Sequence, residues 1–244
     1  MAPSDMSGML QSSEINFDGY WGKPTSTIDW CEANYEVSYY IAEFWNTVSN
    51  IVMIIPPLIG ALLAKKDNLE LRYIAGYLGI LVVGIGSWCF HGTLLYSMQL
   101  LDELPMIWCS SFLIYMLVEV DGRPNSQNFP LQVLLFAYCL VVTLLYVIIN
   151  KPVFHEVAYG LMVISLVVLS FRIVRQYEHS LPLMLASSVT YGIGFVIWNI
   201  DNVYCSHVRE LRRSVGYPVK PVLQGHAWWH LFAGVGTYLF VLFA

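Results

Sequence analysis

An all-α fold, a bundle of seven helices crossing a membrane, is what this sequence predicts, and three observations carry it. Of its 244 residues 57% are hydrophobic and 12% charged, with mean hydropathy +0.59, whereas soluble domains carry about a quarter charged residues. Seven stretches reach the ~20 mostly apolar residues that a spanning helix needs. The breaks between them are short and polar, or marked by Pro and Gly. The net charge of −5 argues against nucleic-acid binding, which needs basic patches. The length fits one compact bundle.

The chain opens with a polar segment, residues 1–38. Its start, MAPSDMSGMLQSSEINFDGYWGKP, lacks the basic stretch and apolar run of a cleaved signal, so membrane insertion falls to the first span. That span is expected at 39–63 and ends at AKKDNLELR; the second, 72–95, ends in GSWCFH. The third, 103–120, begins in LLDELP and stops before DGRPNSQNFP. The fourth and fifth, 130–149 and 153–173, are parted by NKPVF, and the sixth, 182–203, ends in WNIDN. A basic connector, CSHVRELRRSVGYPVKP, then leads to the seventh, 223–244, so that 39–244 forms one domain.

Lys23 is the one basic residue ahead of the first span, against Asp5, Glu14, Asp18, Asp29, Glu32 and Glu36, while Lys65, Lys66 and Arg72 follow it. The positive-inside rule then puts the N-terminus in a lumen or outside the cell and the C-terminus in the cytosol. Summed over all loops the two sides tie, so the first helix decides. Of the five cysteines, Cys89, Cys109, Cys139 and Cys205 fall in or near apolar runs with no C-x-x-C spacing, and they read as packing residues. The 16 tyrosines and 8 tryptophans suit interfacial belts.

Alternation of seven spans puts the starts of the first, third and seventh on one side, with the ends of the second and sixth. Those places hold Glu43, Ser87 with His91, Asp102, the WNIDN run, and His226 with His230. Polar groups at membrane depth are costly and usually face a bundle interior. His226 and His230, at i and i+4, share a helix face one turn apart, a spacing that lets two imidazoles reach one ion. Two hydrogen-bonded core histidines remain the plain alternative. His91 adds a third ligand, and three histidines with an open fourth position are the pattern of a catalytic zinc site.

Asp102 can accept the proton of a metal-activated water. Ser87 can donate to a developing oxyanion, or simply bond back to its own helix. Glu103 reads as a carboxylate favoured at a helix N-terminus. His155, His179 and His207 read as structural or solvated.

The strings TSTIDWCEANY, YYIAEFWNTVSN, GSWCFH, MQLLDELPMI, FVIWNIDN and HAWWH, from about Gly19 to the chain end, resemble the alkaline ceramidases. That family lies within the CREST superfamily of membrane hydrolases, and the likeness is greatest to its phytoceramide-cleaving branch. The resemblance implies hydrolysis of the ceramide amide bond, phytoceramide and dihydroceramide included, to a sphingoid base and a fatty acid. His91, His226 and His230 become the zinc ligands, Asp102 the proton-handling residue and Ser87 a hydrogen-bond donor.

It also implies a regulatory calcium ion held by Asp29, the Trp30 carbonyl, Glu32, Asn34 and Glu43, oxygen donors of the kind calcium wants. Residue types alone would read there as an acidic, solvated loop. Glu43, Asn46 and Asn50 line one helical face, a polar seam running from calcium toward zinc. The resemblance further implies endoplasmic-reticulum and Golgi membranes, no obligate protein partner, and a cytosolic tail beyond Ala244. A phospholipase of the same superfamily, or a receptor-like protein with a structural zinc, is the competing expectation.

Overall fold

A computed structural model describes residues 19–123, 126–178 and 180–244; the expectations for His179 and for residues 1–18 lie outside them. Among the described residues the chain is all helical, without a strand. The helices are α1 (Phe44–Ser49), α2 (Ile51–Lys66), α3 (Leu71–Thr93), α4 (Tyr96–Val118), α5 (Phe129–Ile149), α6 (Pro152–Gln176), α7 (Leu181–Val203), α8 (Cys205–Ser214), α9 (Val219–Val222) and α10 (Gly225–Phe243). Among the described residues six stretches are long and apolar enough to cross a membrane: Phe44–Lys66, which joins α1 and α2, and then α3 to α7.

The seventh predicted stretch is also a helix, α10. Its first two turns give positions to His226 and His230, which dilutes its apolar run relative to the six. Outward faces support the membrane reading: Leu134, Ile148, Val168 and Val203 are each more than 60% exposed, a density of bare apolar surface that water does not tolerate. These helices therefore belong to an integral membrane protein.

The core lies where α2, α3, α4 and α10 meet, around Met53, Tyr77, Ile80, Leu113, Met116 and Val241. The segment before α1 packs across one end of this bundle, burying Tyr35 and Ala42 against Phe90 and Leu94. Leu94 ends α3 in the left-handed region (φ 53°), and its carbonyl accepts the N–H groups of Thr25 and Ser26, both at 3.1 Å. Ala42 and Glu43 donate likewise to the carbonyls of Gly92 and His91. The C-terminal carbonyls of α3, which a helix leaves unpaired, are thus capped by the N-terminal segment. This fixes where that segment sits.

Three expectations need correction. The third span does not begin at 103: α4 starts at Tyr96, so Asp102 and Glu103 lie in its second turn and Pro105 is inside the helix. The apolar pattern misplaced this boundary because polar residues that serve the interior resemble a helix end. Glu103 is accordingly no N-terminal carboxylate. It is buried and accepts from Tyr146 Oη at 2.5 Å and Gln99 Nε2 at 3.0 Å. His155 is structural as read, its Nε2 meeting the Glu103 carbonyl at 2.7 Å.

The basic connector folds into two short helices, α8 and α9, and α8 packs against α7.

Finally, Cys205 is not a packing thiol. It forms a disulfide with Cys31, with Cα atoms 5.4 Å apart and a sequence separation of 174. Hydrophobicity around a cysteine says nothing about its partner, so spacing had no means of finding this bond. Replacing Cys31 or Cys205 by Ser should cost roughly 2–5 kcal/mol, seen as a lower midpoint in a thermal melt that a reductant no longer shifts. A variant melting like the parent would mean the bond does not form.

Candidate metal centre

Ser87 and His91 stand one turn apart near the end of α3, and His226 and His230 occupy the first two turns of α10. The bundle brings the three imidazoles together. Ring centroids are 5.0 Å apart for His91 and His226, 4.8 Å for His91 and His230, and 4.7 Å for His226 and His230. One nitrogen from each lies within 4.8 Å of the other two. All three residues are buried.

The surroundings decide which nitrogens are free. His91 Nδ1 is 2.5 Å from Glu43 Oε2, while its Nε2 is buried without a partner. His230 Nδ1 meets the Asn46 carbonyl at 3.0 Å and Ser49 Oγ at 2.8 Å. With Nδ1–H donated to an oxygen, each ring turns an Nε2 lone pair toward the cluster, as metal-ligating histidines do. Three buried imidazoles around an orphaned nitrogen are costly without a shared partner. The donor set fits zinc.

Ser87 Oγ lies 3.5 Å from His230 Nε2, and its side chain also interacts with that of Asp102. A close crossing of α3 and α4 makes this possible. A Cβ on Gly86 would stand 2.0 Å from the Leu101 carbonyl oxygen and 3.1 Å from the Asp102 nitrogen, so only glycine lets the backbones approach there. Gly86→Ala should force the helices apart, at about 1–3 kcal/mol of overpacking. Turnover should fall more than stability as Asp102 leaves Ser87. A variant that melts like the parent and keeps full activity would contradict this geometry.

The N-terminal segment supplies the second candidate cluster. Glu32 is buried, and its carboxylate accepts the Trp45 and Asn46 N–H groups, each at 2.8 Å, across the first turn of α1. Burial, and then the Glu43 charge, push the Glu32 carboxyl up to about 8 against the opposing pull of those N–H groups. Asn34 Nδ2 donates to Asp29 Oδ1 at 3.2 Å, and the Trp30 carbonyl accepts from Arg209 at 3.0 Å. Glu43 Oε1 and Asn34 Oδ1 are buried acceptors with no partner. Crowded carboxylates beside unanswered oxygens suit a hard cation.

Sequence reasoning grouped His91, His226, His230, Ser87 and Asp102, and the structure places them together. It missed the supports. Glu43 touches His91 as well as facing the acidic cluster, and Ser49 and Asn46 hold His230. Trp30 stacks its ring on His226, with centroids 4.2 Å apart and planes at 29°. The polar seam through Glu43 and Asn46 was the one signal that pointed to these contacts.

Fold and site together define a helical membrane protein with a buried three-histidine centre lined by a serine and an aspartate. Comparison with known sequences narrows the class: the ceramidase family model matches residues 22–244. Alkaline ceramidase 3 of Mus musculus is 49% identical over 231 residues, covering 94% of this chain and 86% of its own length. An alkaline ceramidase of Saccharomyces cerevisiae is 34% identical over 94% of this chain and 78% of its own, and one of Arabidopsis thaliana 30% identical over 90% and 82%. The chain belongs to the ceramidase family.

Proposed function

We propose that the protein is a zinc-dependent amidase that hydrolyses ceramides at the three-histidine centre, releasing a sphingoid base and a free fatty acid. Family membership and relatives named as alkaline ceramidases support ceramide hydrolysis. The observation that carries the metal chemistry is the set of three buried imidazoles, two with Nδ1 engaged so that Nε2 faces the cluster. Zinc on His91, His226 and His230 would supply Lewis acidity and a water acidified to a pKa near 7.

The chain's own residues account for the rest. Asp102 takes a proton from the attacking water and returns it to the leaving amine, so that one water splits the C–N bond into amine and acid. Ser87, between Asp102 and His230, donates to the oxyanion. Asp29, the Trp30 carbonyl, Glu32, Asn34 and Glu43 would hold calcium, a regulatory ion, and the Glu43 carboxylate that meets His91 joins that cluster to the histidines.

The Cys31–Cys205 bond supports a lumenal or extracellular N-terminus, because disulfides persist in oxidising compartments. Endoplasmic-reticulum and Golgi membranes are the compartments proposed.

The test is zinc content by elemental analysis, with turnover of purified protein on ceramide, phytoceramide, dihydroceramide and ester-linked lipids. One zinc per chain and amide cleavage stimulated by calcium are expected. Active, zinc-free protein would overturn the mechanism. Ester cleavage alone would indicate a phospholipase, and zinc without turnover on any lipid a receptor-like protein.

A further inference from the structure

The three histidines are not supported alike. His91 has Glu43 on its Nδ1, and His230 has Asn46 and Ser49. His226 Nδ1 is buried and has no partner. Something other than a ring hydrogen bond must therefore set where this imidazole stands.

The end of α7 supplies it. Asp201, buried at 4% exposure, receives the Gly225 N–H on Oδ1 at 3.2 Å and the His226 N–H as well. These are the first N–H groups of α10, which an intrahelical partner cannot reach. A Cβ on Gly225 would come within 2.7 Å of the Asp201 Cβ, so helix start and carboxylate are in direct contact.

Arg212 of α8, equally buried, holds that carboxylate from the other side, with Nη2 2.8 Å from Asp201 Oδ1. The same guanidinium donates to the Leu223 carbonyl at 2.9 and 3.1 Å and to the Cys31 carbonyl at 2.6 Å. It thus ties the approach to α10 and the N-terminal segment to one point. Trp30, next to Cys31, closes over the His226 ring.

We infer that Asp201 and Arg212 are positioning residues for His226: the buried pair fixes the first turn of α10 and, through Cys31, the Trp30 ring that covers the imidazole. The inference rests on the zinc reading above. Ligand supports of this kind typically change metal affinity 10–100-fold.

The experiment measures zinc affinity by chelator competition, and the visible spectrum of cobalt-substituted protein, in the full chain in detergent. Asp201→Ala should weaken zinc binding roughly 10–100-fold and alter the cobalt bands. Asp201→Asn, which keeps the acceptor but loses the ion pair, should show a smaller loss in the same direction. Ser187→Ala removes a buried hydrogen bond from α7 to the Gly236 carbonyl of α10 (2.9 Å); it should lower the melting temperature without moving zinc affinity.

If Asp201→Ala does not fold, Asp201→Asn and Arg212→Lys carry the test. Folded Asp201 or Arg212 variants with the parent's zinc affinity and cobalt spectrum would overturn the inference while leaving the zinc reading intact. A parent protein that binds no zinc would overturn both.

Discussion

Replacing His230 by Ala should remove zinc and abolish ceramide turnover together. The imidazole is one of three buried in the cluster, and on the zinc reading its loss leaves His91 and His226 as a two-point site. Lewis-acid stabilisation is worth several kcal/mol of transition-state energy, so turnover should drop on the order of 10³-fold or more. The substitution also leaves the Asn46 carbonyl and Ser49 hydroxyl without the Nδ1 partner they now share, at about 1–3 kcal/mol. A thermal melt must therefore accompany the assay. His207→Ala makes a suitable control, since His207 is exposed on α8 and should leave zinc and turnover unchanged. A folded His230→Ala protein that still cleaves ceramide would rule out this centre as the place of catalysis.

Asp102→Asn separates chemistry from metal binding. Asn fills the same volume and still accepts from Ser87, so helix packing and zinc content should be preserved. It cannot take up the water's proton. Loss of a positioned general base typically costs 10²–10⁴-fold, and the fall should appear in kcat with KM little changed. Equal rates in the two proteins would remove Asp102 from the mechanism. A receptor-like protein would instead turn over no lipid in either form.

Much of this is legible in the sequence. Seven helical stretches follow from apolar runs, and Ser87 with His91, or His226 with His230, share a face because of the 3.6-residue period. Alternation of spans then brings both pairs and Asp102 to one end of the bundle without knowledge of any packing angle. What stayed hidden depends on contacts between segments far apart in sequence. The start of α4 was misplaced because Asp102 and Glu103 are polar for the interior's sake. Cys31 and Cys205 share no local signal. Arg212 read as one more basic residue of a connector, though it is buried against Asp201. Glu43, matched to the acidic cluster by resemblance, turned out to spend one oxygen on His91.

The separations within the centre also govern how the protein is made. His230 meets Ser87 across 143 residues and Ser49 across 181, and the disulfide spans 174. Contacts this remote form only after the intervening chain is in place. A ribosome that has delivered α1 to α7 has produced His91 and its carboxylate partner, yet no pocket. Assembly of the three-histidine cluster is thus a late event of biogenesis, and a chain released before α10 enters the membrane lacks two of its three imidazoles however well its other helices are seated. On the zinc reading proposed above, the cell is shielded from the enzyme's activity until synthesis is all but complete.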